Sequence, residues 1–177
     1  VWGAIDPPPC WLPKEKRWLT EREVKEVLDK IYEMVKEFGD RLLIRPCWEM
    51  DVWYINDCGG YRWEYFKLHP DRSRLPRRRN MREGLEAFRL FLRDAPTDRG
   101  MGRWFIELTK DKRFSGYVMV QAAGGLFPHY WFEMGADVVE YEVGEPQTPN
   151  FQVVVAMTRG ASKQYGGRRW GIHVSPW

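Results

Sequence analysis

Long apolar runs are missing from this chain: none approaches the ~20 residues that a membrane-spanning helix needs, so no membrane partner is expected. No secretory signal is visible at the start, and Val1 standing where a methionine would open a translation product leads us to expect a processed or excerpted chain. Cysteine is scarce. Cys10, Cys47 and Cys58 have no metal spacing and leave at least one thiol unpaired. A Cys47–Cys58 disulfide would suit an oxidising compartment, and free thiols the alternative. There is no sequence repeat, no glycine-rich phosphate loop, no serine or cysteine nucleophile signature and no cluster of metal ligands; the Gly124-Gly125 pair reads as a turn. Neither a metal nor a cofactor is expected. Net charge is also small, +3 against 30% charged residues, which implies no field for a nucleic-acid partner. The arginine-rich stretch 67–79 reads as a solvated loop rather than a phosphate contact.

Aromatics are abundant instead. Ten tryptophans exceed what one core needs, and surplus Trp and Tyr typically line a groove or an interface. Many charges with few Asn and Gln suit a thermophile. The 177 residues fit one domain with a real core.

The most informative stretch is Arg41-Leu42-Leu43-Ile44-Arg45-Pro46-Cys47-Trp48-Glu49-Met50-Asp51. As a strand it puts Leu43, Arg45, Cys47 and Glu49 on one face and Leu42, Ile44 and Pro46 on the other. An arginine and a carboxylate beside apolar residues are costly to bury unless paired or used. Either the strand opens into a polar pocket at its C-terminal end, or it is an edge strand with a solvated face.

Around it the pattern alternates. Val1 to Asp6 reads as a strand stopped by Pro7-Pro8-Pro9. Thr20 and Glu23 form a capping box, and Val24, Val27, Leu28, Ile31, Met34, Val35 and Phe38 recur at helical spacing until Gly39. Strand, helix and the 42–47 strand make a βαβ unit with parallel strands. Val52 to Ile55 is a short strand or a loop carrying Trp53 and Trp63 beside the pocket. Asn80 caps a helix to about Arg93 with Leu85, Phe88 and Leu92 inward, and Trp104 to Leu108 is ambiguous between strand and helix. Tyr117 to Ala122 is a strand, followed by an aromatic turn over 127–132. Ala136 to Val143 is another strand, with Val138, Glu140 and Glu142 on one face. Thr148 and Pro149 start a helix to about Tyr165, whose small apolar residues should pack tightly on a sheet. Trp170 to Ser175 closes the series, with Gly171, His173 and Ser175 on one face.

This alternation predicts an α/β fold. Polar groups at five strand ends, Asp6, Glu49, Gln121, Glu142 and His173, favour a (β/α)8 TIM-like barrel, where catalytic groups come from several strands, over a doubly wound sheet with one switch point. Such a barrel needs roughly 200–250 residues, so residues 1–177 form either a reduced barrel-like domain or part of a longer one. Two carboxylates flanking a glycosidic bond are the usual machinery for cleaving it. Glu49 and Glu142 are the candidates, with Glu140 in reserve. Arg45 and His173 would orient the acids, and Trp48, Trp53, Trp63 and Trp177 would stack on sugar faces. A salt-bridged structural role, to Arg45 or Arg159, is the plainer alternative for each acid.

Arg45-Pro46-Cys47-Trp48-Glu49-Met50-Asp51-Val52-Trp53 resembles the Arg-Pro-x-His-Glu-Met-Asn segment, followed shortly by Trp, of β-mannanase-like glycoside hydrolases of the large retaining barrel clan. Trp48 stands at the family's His and Asp51 at its Asn. The resemblance implies that Glu49 ends the fourth strand as acid/base and that a later strand-end glutamate, here Glu142, is the nucleophile. The 159–166 segment and Trp170-Gly171-Ile172-His173 are similar to a helix–strand junction of glycosidase-like barrel proteins in which more barrel follows. The expectation is a retaining glycoside hydrolase acting on a polysaccharide or oligosaccharide, the former favouring an extracellular setting. The alternative is a non-catalytic carbohydrate-binding or structural barrel derivative. Oligomeric state stays open.

Overall fold

Residues 3–48, 50, 80–94, 100–122, 128–143 and 151–174 are described by the computed structural model. In chain order the elements are β1 (Gly3–Ile5), β2 (Trp11–Leu12), β3 (Arg17–Trp18), α1 (Glu21–Phe38), β4 (Leu42–Trp48), α2 (Met81–Asp94), α3 (Met101–Lys110), β5 (Val118–Ala122), α4 (Pro128–Glu133), β6 (Val138–Val143), α5 (Phe151–Gln164) and β7 (Arg169–Val174).

Helix α1 begins where its sequence says it should. The Thr20 hydroxyl accepts from the Glu23 N–H while the Glu23 carboxylate accepts from the Thr20 N–H, the reciprocal capping box. Arg17 of β3 forks onto the same Glu23 carboxylate at 2.8 and 3.0 Å, so the β2–β3 hairpin is tied to the helix start. Val24, Leu28, Ile31 and Val35 are buried, whereas Met34 and Phe38, on the rim of the apolar stripe, are exposed. Asn80 caps α2 as expected, its side-chain oxygen accepting from Glu83 N–H at 3.0 Å.

The strands pair β1–β4–β5–β6–β7, all parallel, into one curled five-stranded half-barrel sheet. Each strand lies beside the next one of the sheet in the chain. A doubly wound sheet would reverse direction at a switch point; this one winds one way, as a barrel does. Among the described residues there are five such strands, so the expected barrel is present as a part and not as a closed eight-stranded ring. β4 lies between β1 and β5, which overturns the edge-strand reading of the 41–51 stretch.

The faces separate by alternation except in β4, whose register against β5 shifts between Ile44 and Cys47. Ile44 pairs with Val118 and Cys47 with Val120, so the single face expected for Leu43, Arg45 and Cys47 does not continue past the irregularity. Ile44, Val118, Val120, Val139 and Tyr141 point outward into the main core, with Phe88, Phe91, Trp104, Phe105 and Trp131 from the helices. Leu43, Met119 and Val138 form a second, smaller buried cluster on the concave face.

One ambiguity is resolved, two expectations are corrected and one unforeseen element appears. Residues 104–108 are helical, within α3, because Trp104, Phe105 and Leu108 share one buried face at helical spacing. The aromatic turn contains helix α4, with Trp131 and Phe132 inward. Residues 11–18, not foreseen as strands, form a hairpin whose Trp11 and Trp18 rings meet edge-on at 5.3 Å. Helix α5 does not pack tightly along its apolar surface: Thr158, Ala161 and Ser162 are buried, while Val153 and Gly160 face out. Small residues allow close approach but do not enforce it. Among the described residues, no helix is long and apolar enough to cross a membrane.

Candidate active site at the strand ends

Register stacks the concave face in layers. Leu43 on β4, Met119 on β5 and Val138 on β6 make an apolar floor. One step towards the strand C-termini, Gln121 lies opposite Glu140, and Glu140 opposite Gly171. One step further, Glu142 lies opposite His173. Arg45 follows the floor residue Leu43 by two positions on β4, and Asp6 ends the β1 run beside it. Polarity therefore rises toward the C-terminal ends, where parallel α/β sheets place their chemistry.

These groups are linked across four strands. The Asp6 carboxylate accepts two hydrogen bonds from Arg45, from Nε at 2.9 Å and Nη2 at 3.0 Å. Arg45 Nη1 donates to Gln121 Oε1 at 3.0 Å, and Gln121 Nε2 donates to Glu142 Oε2 at 2.8 Å. The Asp6 bonds push the Arg45 guanidinium above its ordinary value, with a smaller contribution from the charge of Glu140. It is a fixed cation. A two-pronged fork onto a carboxylate also sets the plane of the guanidinium.

The two β6 acids differ in setting. Glu142 is 3% exposed and Gln121 is 4%, so the Gln121 amide offsets part of the cost of burying that carboxylate. Glu140 is more open and lies 4.0 Å from His173 Nδ1. It borders a cavity of about 710 Å³ on the concave face, together with Arg45, Leu43, Met119, Val138 and Gly171. The cavity thus reaches the reserve acid, while Glu142 stands one layer above it. Ser162, Arg168 and Arg169 border its opposite end, and Arg168 there donates to the Phe132 and Ala136 carbonyls.

The structure therefore brings Arg45, Glu140, Glu142 and His173 to one face. Glu49, Asp51, Trp53, Trp63 and Trp177, and the side chain of Trp48, lie outside the described residues, as does the Cys47–Cys58 pairing. Arg45 pairs with Asp6, and Gln121 links it to Glu142. The linking role of Gln121 was missed from sequence. Its strand-end position was visible, but a one-residue property gives no hint that its two neighbours are a donor and an acceptor. The free Cys10 thiol is buried in the main core and pushed up to about 11 by that burial, so it is inert at neutral pH. Among the described residues, no group of acids, histidines and cysteines is arranged to hold a metal ion. No protein-family model matches the chain, and neither a curated protein nor a solved structure is similar to it.

Proposed function

We propose that this chain carries the strand-end face of a retaining glycoside hydrolase acting on a polysaccharide or oligosaccharide. The observation that supports it best is the layering: an apolar floor below carboxylates, an arginine and a histidine at the C-terminal ends of a singly wound parallel sheet. The resemblance of the 45–53 segment to β-mannanase-like hydrolases points the same way.

In this proposal Glu142 is the nucleophile. Its carboxylate attacks the anomeric carbon while Glu49, as acid, protonates the departing glycosidic oxygen. Glu49 then takes a proton from water, which attacks the same carbon and frees Glu142. Arg45 and His173 orient the acids, and Trp48, Trp53, Trp63 and Trp177 stack on sugar rings, with Asp51 and Glu140 as further contacts. Glu140 is the alternative second carboxylate, since it borders the cavity.

A specific observation favours a second reading. Glu142 is nearly inaccessible and already hydrogen-bonded, as a structural acid would be. A non-catalytic carbohydrate-binding protein with a barrel-derived groove fits that.

Reducing-sugar release from a polysaccharide panel tests both. Wild-type protein is expected to hydrolyse at least one glycan, and Glu142→Gln and Glu49→Gln to lower that rate at least 10³-fold, roughly the scale of lost acid–base or nucleophilic assistance. Full activity in Glu142→Gln with loss in Glu140→Gln would move the nucleophile to Glu140. Binding without cleavage by the wild type would establish the second reading.

A further inference from the structure

The direction of a glutamine amide is set by its neighbours, because its oxygen only accepts and its nitrogen only donates. At Gln121 the neighbours leave no choice. Arg45 has donors alone, so the amide oxygen must face it, as it does at 3.0 Å. The NH2 is then turned to Glu142 Oε2, 2.8 Å away. Arg45 in turn cannot swing, since Asp6 grips two of its nitrogens. We infer that Gln121 is a positioning residue that keeps the Glu142 carboxylate ionised and aimed, through an amide oriented by Arg45 on the adjacent strand and, behind it, by Asp6.

The chemistry follows from what each protonation state can accept. An N–H donor pointed at a carboxylate oxygen favours the charged form and disfavours the protonated one. With the amide reversed, an oxygen would face Glu142 and reward its protonation instead. Arg45 prevents that reversal, and it adds a positive charge one residue beyond the amide. Charged groups that the described elements also bring to this face include Glu140 on β6, His173 on β7 and Asp6 after β1, with Arg168 and Arg169 at the other end of the cavity. Glu140 opposes ionisation of Glu142, and protonated His173 would favour it. Both stay in place in every variant below. The inference rests on the proposed role of Glu142 only for its catalytic meaning; the effect on ionisation stands apart from any activity.

The test is a carbon-NMR titration of the full chain with carboxyl-labelled glutamate, the Glu142 signal being assigned by its loss in Glu142→Gln. In Gln121→Leu the Glu142 titration should move up by about one pH unit or more, a tenfold change in the proton equilibrium. In Arg45→Met it should move up as well, because the amide is freed to turn. Gln121→Glu is isosteric and serves if the leucine variant does not fold; it should give two coupled steps, one well above the wild-type value. Superimposable Glu142 titrations in wild type and in the folded Gln121 variants would overturn the inference. If the shifts occur but no variant, nor the wild type, cleaves any glycan, the hydrolase proposal falls and the positioning stands. If Glu142→Gln abolishes hydrolysis while the Gln121 variants leave the titration unmoved, the hydrolase stands and the positioning falls.

Discussion

Trp104 and Trp131 are both completely buried, yet replacing each by phenylalanine should give unequal results. Trp104 Nε1 donates to the Pro8 carbonyl at 2.6 Å, which anchors the proline run just after Asp6. Trp131 stands between Phe88 and Phe105, each ring centroid 4.9 Å away and edge-on. Its Nε1 has no hydrogen-bond partner among the described residues. Shortening either indole to a phenyl ring loses buried contacts and leaves a small void, costing about 1–2 kcal/mol at both sites. At Trp104 the lost hydrogen bond adds about 1 kcal/mol, for a total of about 2–3 kcal/mol. At Trp131 the change removes an unsatisfied buried donor, a relief of about 1–3 kcal/mol that roughly cancels the void. The two variants should therefore differ by about 2–4 kcal/mol in urea unfolding, with equal m-values. Equal destabilisation, or a larger loss at Trp131, would show that the indole N–H partners do not control these sites.

The fold's turns and charges make two further tests. Gly100, which caps α3, has φ +74°, and a Cβ there would collide with the Trp18 ring; Gly100→Ala should cost about 1–3 kcal/mol, read as a fall in Tm of roughly 2–12 °C. Gly116, at φ +95° with open space around it, is the control, and its alanine variant should lose less; an equal loss at both sites would remove the Trp18 contact from the account. Glu23 is depressed from 4.5 to about 2, first by its hydrogen bonds to Arg17 and then by the Thr20 cap. A depressed carboxylate stabilises the fold fully above its unfolded pKa and loses that contribution as pH falls through the folded one. The Tm gap between wild type and Glu23→Gln should thus be constant above about pH 4.5 and close between pH 4.5 and 2. A gap independent of pH would mean that the charge of Glu23 has no part in the cap.

How far each element could be read depended on whether its signal was local. The capping box, the α1 spacing and the Asn80 cap act within three or four residues, and the chain displays them directly. The alternation of Leu43 against Leu42 and Ile44 likewise placed the two faces of β4 over its first half, whereas the register shift between Ile44 and Cys47 was not legible. The helix over 104–108 was not legible, because a five-residue apolar run fits both a strand and a helix. Its helical state is decided by burial of Trp104, Phe105 and Leu108 against the rest of the core. Helix α5 failed for the opposite reason. Its small apolar residues suggested burial, but whether a neighbour covers them is a property of the assembly of elements.

By itself, then, the sequence determined the alternation of strands and helices, the parallel βαβ start and the placing of Asp6, Gln121, Glu142 and His173 at or near strand ends. Those follow from periodicity and capping, which are short-range. Only the tertiary structure decided that the sheet winds one way, that β4 is internal, and that Asp6, Arg45, Gln121 and Glu142 form one hydrogen-bonded line across four strands. Residues 39, 76 and 21 positions apart along the chain become partners through strand register. Register is set by the pairing of whole strands, and it is written in no single stretch of the chain.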